Sequence, residues 1–149
     1  MATPPEATEL RPENPDFERV ARERFARQGF MGAIGAWLVE VAPGRAVVEV
    51  PYSARLAHEP GLFHGAIVGA VGDSAGGIAA LTLLAAGADA VTAECKINFV
   101  RPAEGELLRA EGQVLNVGRR LVIARIDVMC VADGKSTVCG LLQSTYVRT

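Results

Sequence analysis

Aromatic residues make up only 5% of this 149-residue chain: one tryptophan, two tyrosines and five phenylalanines. A surface that stacks unpaired bases needs more of them, which excludes a single-stranded nucleic-acid binder. Cysteine is sparse too, at Cys95, Cys130 and Cys139, and no two of these stand in a CxxC spacing. An odd count without paired spacing argues against a disulfide framework or a zinc site and predicts a reducing, cytoplasmic setting. Neither charge sign dominates: 15 basic against 17 acidic side chains leave a net charge of -2 and a pI near 5.7. Without a basic surplus, nucleic acid is not expected as a partner. Residues 1–12, rich in proline and glutamate, have no apolar core of the kind a signal peptide carries and read as a flexible tail.

Half of the residues are apolar and 21% are charged, a composition that folds. The length fits one domain, taken as 13–149. Asn14-Pro15 marks the start of an amphipathic helix, with Phe17, Val20, Ala21 and Phe25 at helical spacing to Gln28 and Gly29 as the stop. Met31–Val41 and Arg45–Tyr52 read as strands joined by a turn at Ala42-Pro43-Gly44-Arg45. Gly65–Ala88 is almost wholly apolar and long enough to span a bilayer, but no basic flank follows it. It reads as a buried central helix, and no membrane is expected as a partner.

Beyond it, Val91, Ala93, Cys95, Ile97 and Phe99 alternate with Thr92, Glu94, Lys96 and Asn98, a half-buried strand with Thr92 on its polar face. Glu106–Asn116, Arg120–Val131 and Ser136–Val147 complete the strands, the last two joined by a hairpin at Asp133-Gly134. Strands segregated around one apolar helix predict an α+β fold, with an antiparallel sheet of about five to six strands curled about that helix. One helix cannot cover both faces of such a sheet, so a second subunit is expected at the exposed edge.

Asp73 is the anomaly. A carboxylate amid apolar helix is costly unless it is hydrogen-bonded, and folding gives no reason to place it there. The helix start at His64-Gly65-Ala66 offers free backbone N–H groups and a positive dipole end to a polarised carbonyl. His58 and His64 are the only histidines, and their spacing suggests no metal site. Gly72-Asp73-Ser74-Ala75-Gly76 matches G-x-S-x-G in letters, but it lies inside a helix and both histidines precede Ser74, so it is not a nucleophile elbow.

The run His58-Glu59-Pro60-Gly61-Leu62-Phe63-His64-Gly65-Ala66, with Asp73 nine residues past His64, resembles the signature of the hot-dog-fold acyl-CoA thioesterases. The similarity is to their PaaI-like, phenylacetate-type branch, and Lys96-Ile97-Asn98-Phe99-Val100-Arg101-Pro102-Ala103 resembles that branch too. The resemblance implies a sheet wrapped around the central helix, Asp73 as nucleophile or general base, and the Gly65 N–H on the thioester carbonyl. It places Thr92 where a Ser or Thr positions the reacting water or carboxylate. His58 stands where the family often has Asn, and Ala66 replaces a usual second glycine. His64 is expected to orient the thioester. The implied substrate is a small, medium-chain or aryl acyl-CoA, with no cofactor beyond the coenzyme A of the substrate itself. Arg101, Arg119 and Arg120, which flank turns, are candidates for its phosphates.

On a helix rising 1.5 Å per residue, Gly65 and Asp73 lie roughly 12 Å apart, too far to touch one carbonyl. If both act on one thioester, each must come from a different subunit, which predicts a homodimer or a dimer of dimers. A non-catalytic acyl-CoA binding or sensing module on the same fold is the alternative, and a hot-dog dehydratase a more distant one.

Overall fold

The computed structural model describes residues 10–149. Most of the expected N-terminal tail lies outside the described residues, but Leu10 packs against the core.

The first helix, α1 (Phe17–Ala26), is shorter at each end than the sequence suggests. Asn14 is not its N-cap: that position falls to Asp16, whose side chain makes no cap bond, and Asn14 Oδ1 accepts the Asp16 N–H at 3.0 Å in the turn before the helix. Gly29 does not simply stop the helix. Gln28 is extended and a second short helix, α2 (Gly29–Ala33), follows it, burying Met31. Gly35, at φ +74°, then turns the chain. The first strand therefore starts at Trp37 and not at Met31, because Phe30, Met31 and Ile34 recur at helical rather than alternating spacing.

Strand β1 (Trp37–Ala42) pairs with β2 (Arg45–Pro51) through the expected turn, where Gly44 takes φ +70°. A short hairpin, β3 (Ala57–Glu59) with β4 (Leu62–Phe63), leads into the central helix α3 (Gly65–Leu81). Then come β5 (Ala90–Phe99), β6 (Leu107–Val117), β7 (Leu121–Ala132) and β8 (Lys135–Arg148). Asp133 and Gly134 both take positive φ between β7 and β8, as a two-residue hairpin turn requires.

The result is α+β, a six-stranded antiparallel sheet in the order β1-β2-β6-β7-β8-β5 with α3 packed on its inner face. Val48, Val50, Leu108, Ala110, Val122, Ala124, Ile126 and Val128 are fully buried there. The helix crosses β6 at Gly112, where a Cβ would come within 2.6 Å of the Ala75 carbonyl oxygen. Only glycine admits this close approach. α3 ends at Leu81, short of the expected Ala88, and Thr82 ties this end to the β1–β2 turn: its Oγ1 donates to the Ala79 carbonyl at 2.6 Å and accepts the Gly44 N–H at 2.8 Å. None of the helices among the described residues is long and apolar enough to cross a membrane.

Strand β5 departs from its expected half-buried character. It is the sheet's edge, paired on one side only by β8, and Val91 and Phe99 are 51% and 59% exposed. Its alternation is also broken. Thr92 pairs with Tyr146 and Glu94 with Thr145, so Ala93 is bulged. One extra residue reverses the facing of everything before it. Thr92 therefore joins Cys95, Ile97 and Phe99 on the inner face, contrary to its expected place on the polar face.

Candidate active site

The chain reaches α3 in extended conformation, and His64 caps the helix, its Nδ1 accepting the Ala66 N–H at 2.9 Å. Its main-chain oxygen takes the Ile67 and Val68 N–H groups. The Gly65 N–H, at the first helical position, has no partner among the described residues. Because Nδ1 is an acceptor, a neutral His64 carries its proton on Nε2, free to donate outward. The His58 ring stands edge-on to His64, with centroids 5.7 Å apart. Phe99 from the sheet edge lies over Gly65, where a Cβ would be 3.2 Å from its ring. These groups line an open hollow of about 620 Å³ with Val100, Arg101 and Pro102.

Asp73 opens on a second hollow, of about 470 Å³, walled by the end of α1, by α2 and by the start of β5. Thr92 Oγ1 lies 3.0 Å from each carboxylate oxygen, one hydroxyl donor shared between them. From below, the Tyr146 hydroxyl is 3.1 Å from the Asp73 main-chain oxygen and 3.4 Å from Oδ1. Burial pushes the Asp73 carboxyl above its ordinary value, and the hydrogen bonds from Thr92 and Tyr146 pull the other way. Ser74 donates to Gln28 Oε1 at 2.7 Å. It is a helical residue tied to the α1–α2 junction, with no histidine beside it. Gln28, Phe30, Met31, Ile78 and Leu81 line the rest of this hollow, with an Arg24–Asp89 ion pair at its rim.

The structure thus gathers His58, His64, Gly65 and Arg101 in one hollow and Asp73 and Thr92 in the other. It brings Arg119 and Arg120 to neither. They sit in the β6–β7 turn, where the Arg120 carbonyl accepts from Arg148 at the end of β8. Arg101 binds the Val138 carbonyl near the start of that strand. Sequence reasoning passed over Tyr146, Gln28 and the outer wall of α2. Among the described residues, no three His, Cys, Asp or Glu side chains converge as metal ligands would.

The family model of the thioesterase superfamily matches residues 60–137, which include Gly65, Asp73 and Thr92. Protein SSO2140 of Saccharolobus solfataricus, which bears a provisional esterase name, is 40% identical over 98 residues, 66% of this chain and 69% of its own. A thioesterase family protein from Silicibacter pomeroyi superposes with a TM-score of 0.86 at 34% identity, over 89% of this chain and 97% of its own. A mutant of the phenylacetic acid degradation protein PaaI from Thermus thermophilus gives a TM-score of 0.69 at 31% identity, over 80% of this chain and 98% of its own.

Proposed function

Because this chain belongs to the thioesterase superfamily and is a thioester hydrolase, we propose that it cleaves a small, medium-chain or aryl acyl-CoA at a site shared by two subunits. One subunit supplies the tip of α3, with the Gly65 N–H and the helix dipole polarising the thioester carbonyl. The other supplies Asp73, which attacks that carbonyl or removes a proton from water. The observation that carries this reading is the separation just described: within one subunit the unpartnered N–H and the desolvated carboxylate open on different hollows. The free edge of β5, with Phe99 exposed over Gly65, offers the surface on which a second subunit brings the two together.

As the bond to sulfur breaks, its electron pair leaves with coenzyme A as thiolate. Thiol pKa values near 8.5 make this a good leaving group without strong acid help. Thr92 holds the carboxylate toward the cleft, the His64 Nε2–H orients the substrate, and Arg101 faces the CoA phosphates. His58, where the family often has Asn, contributes the second ring of the same wall. Folding alone does not account for the desolvated carboxylate.

A panel of acyl-CoAs assayed for free thiol tests the reading. Release by the wild type and none by Asp73→Asn supports it. Equal release by both would overturn it, and binding without turnover by the wild type would mark a sensing module instead. A single turnover in ¹⁸O water separates the two routes, since label entering Asp73 requires that the carboxylate itself was acylated.

A further inference from the structure

We propose that Tyr146 is the positioning residue of this site, a buried phenol that donates to either of two oxygens of Asp73 and so keeps the carboxylate aimed through its change of charge. This rests on Asp73 being the group that acts on the thioester.

Tyr146 is fully buried on β8, directly opposite Thr92 in the β5–β8 ladder. Its single hydroxyl proton has two acceptors on one residue, the Asp73 main-chain oxygen at 3.1 Å and Oδ1 at 3.4 Å. Rotation about the C–O bond carries the proton from one to the other with the ring fixed. When the carboxylate is charged, the donor serves Oδ1. When it is protonated or acylated, the main-chain oxygen receives the donor and no buried hydroxyl is left unsatisfied.

The helix is shaped for this hydroxyl. A Cβ at Gly76 would fall on the Tyr146 oxygen, and one at Gly77 would touch the ring edge at 3.4 Å. The contact at Gly77 is an ordinary one that a methyl could make, whereas at Gly76 the phenol oxygen and Ile126 leave no room for a side chain, and a glycine in a helix interior costs stability. Burial, with the Asp73 charge beside it, pushes the Tyr146 phenol well above its ordinary value, so it remains a donor throughout the working pH range.

The groups around Asp73 are few. β5 offers Thr92 and, nearer the phenol, Cys95, and β8 offers Tyr146 and, beside the phenol, the buried Ser144 hydroxyl. The end of α1 and the segment before β5 bring Arg24, Arg27 and Asp89 to the same hollow. β2, β6 and β7 turn Val48, Ala110, Val122 and Ile126 inward, all apolar. Removing the phenol proton leaves the charged carboxylate with one donor fewer and raises its pKa further.

The test is Tyr146→Phe, followed by the pH profile of kcat/KM and, independently of turnover, by the titration of ¹³C-carboxyl aspartate, with Asp73→Asn identifying the Asp73 signal. We expect kcat to fall about tenfold with KM within about twofold, and both the acid limb and the Asp73 titration to move to higher pH. An unmoved titration overturns the proposal, whatever happens to kcat. A thioesterase-inactive wild type would refute the catalytic reading while the titration still decides the role of Tyr146. If the Phe variant does not fold, 3-fluorotyrosine in a Tyr52→Phe background supplies a more acidic phenol. The Asp73 titration should then move to lower pH, and no movement overturns the proposal.

Discussion

In the mechanism we propose, the tip of α3 and its middle serve one reaction by opposite means. At the tip the chemistry is backbone: a helix start leaves N–H groups unspent in any case, His64 uses one, and Gly65 presents the next without a side chain in the way. The middle of the helix has no spare backbone donors, so the chemistry there must be a side chain set against its surroundings. Burial opposes the Asp73 charge, and two hydroxyls from neighbouring strands restore part of what is lost. The tip therefore costs the fold little and depends on local conformation. The middle costs more and depends on strands β5 and β8, distant in sequence, being in register.

Substitutions at the two places should differ accordingly. Asp73→Ala should lower kcat by about 10²–10⁴-fold, the range for loss of a general base, read as thiol release. Gly65→Pro should lower it by about 10²–10³-fold, as for loss of one oxyanion donor. Proline is tolerated at the first helical position, and His64 already has extended dihedrals at φ −65° and ψ 138°. Gly65→Ala keeps the N–H and must only push the Phe99 ring aside, so its loss should be about tenfold or less by the same measure. Equal losses in the two variants would assign the role of Gly65 to space rather than to its amide.

The next contrast is stability. Asp73 keeps its proton more tightly when folded than when unfolded, so its contribution to stability is complete at low pH and is lost as pH rises through its raised folded value. Asp73→Asn should therefore melt about 2 °C above wild type at neutral pH, with the gap closing as pH falls through that value. The same titration should shift the acid limb of kcat/KM upward from the ordinary aspartate value. A stability effect of similar size is expected for His64→Ala, which removes the cap on the Ala66 N–H and should cost about 1 kcal/mol in denaturant unfolding.

What could be read from the sequence divides along the same line. Gly44, Asp133-Gly134 and the apolar run of α3 are local signals; the turns and the start of the helix appear where those signals place them, but the helix ends at Leu81, short of the expected Ala88. Asp73 was legible as a candidate because a carboxylate in apolar helix is anomalous by itself, and Gly65 because it stands at a helix start within a run that resembles the family signature. The inward turn of Thr92 was not legible, since it depends on a bulge at Ala93 that only pairing with β8 reveals. Tyr146 looked like any aromatic in an alternating strand. Its relation to Gly76 and Gly77, 70 and 69 positions earlier in the chain, exists only after the sheet has wrapped the helix. The short helix α2 was lost because Gly29 reads as a stop, yet the chain restarts after one extended residue at Gln28.

The shared site is tested most directly by complementation. Chains carrying Asp73→Asn and chains carrying Gly65→Pro, each inactive alone, are unfolded together and refolded as a mixture. If the tip and the carboxylate come from different subunits, half of the dimers are mixed and each restores one of its two sites, so about a quarter of wild-type activity returns. If both groups act within one chain, every site in the mixture keeps a defect and no activity returns above that of the two parents.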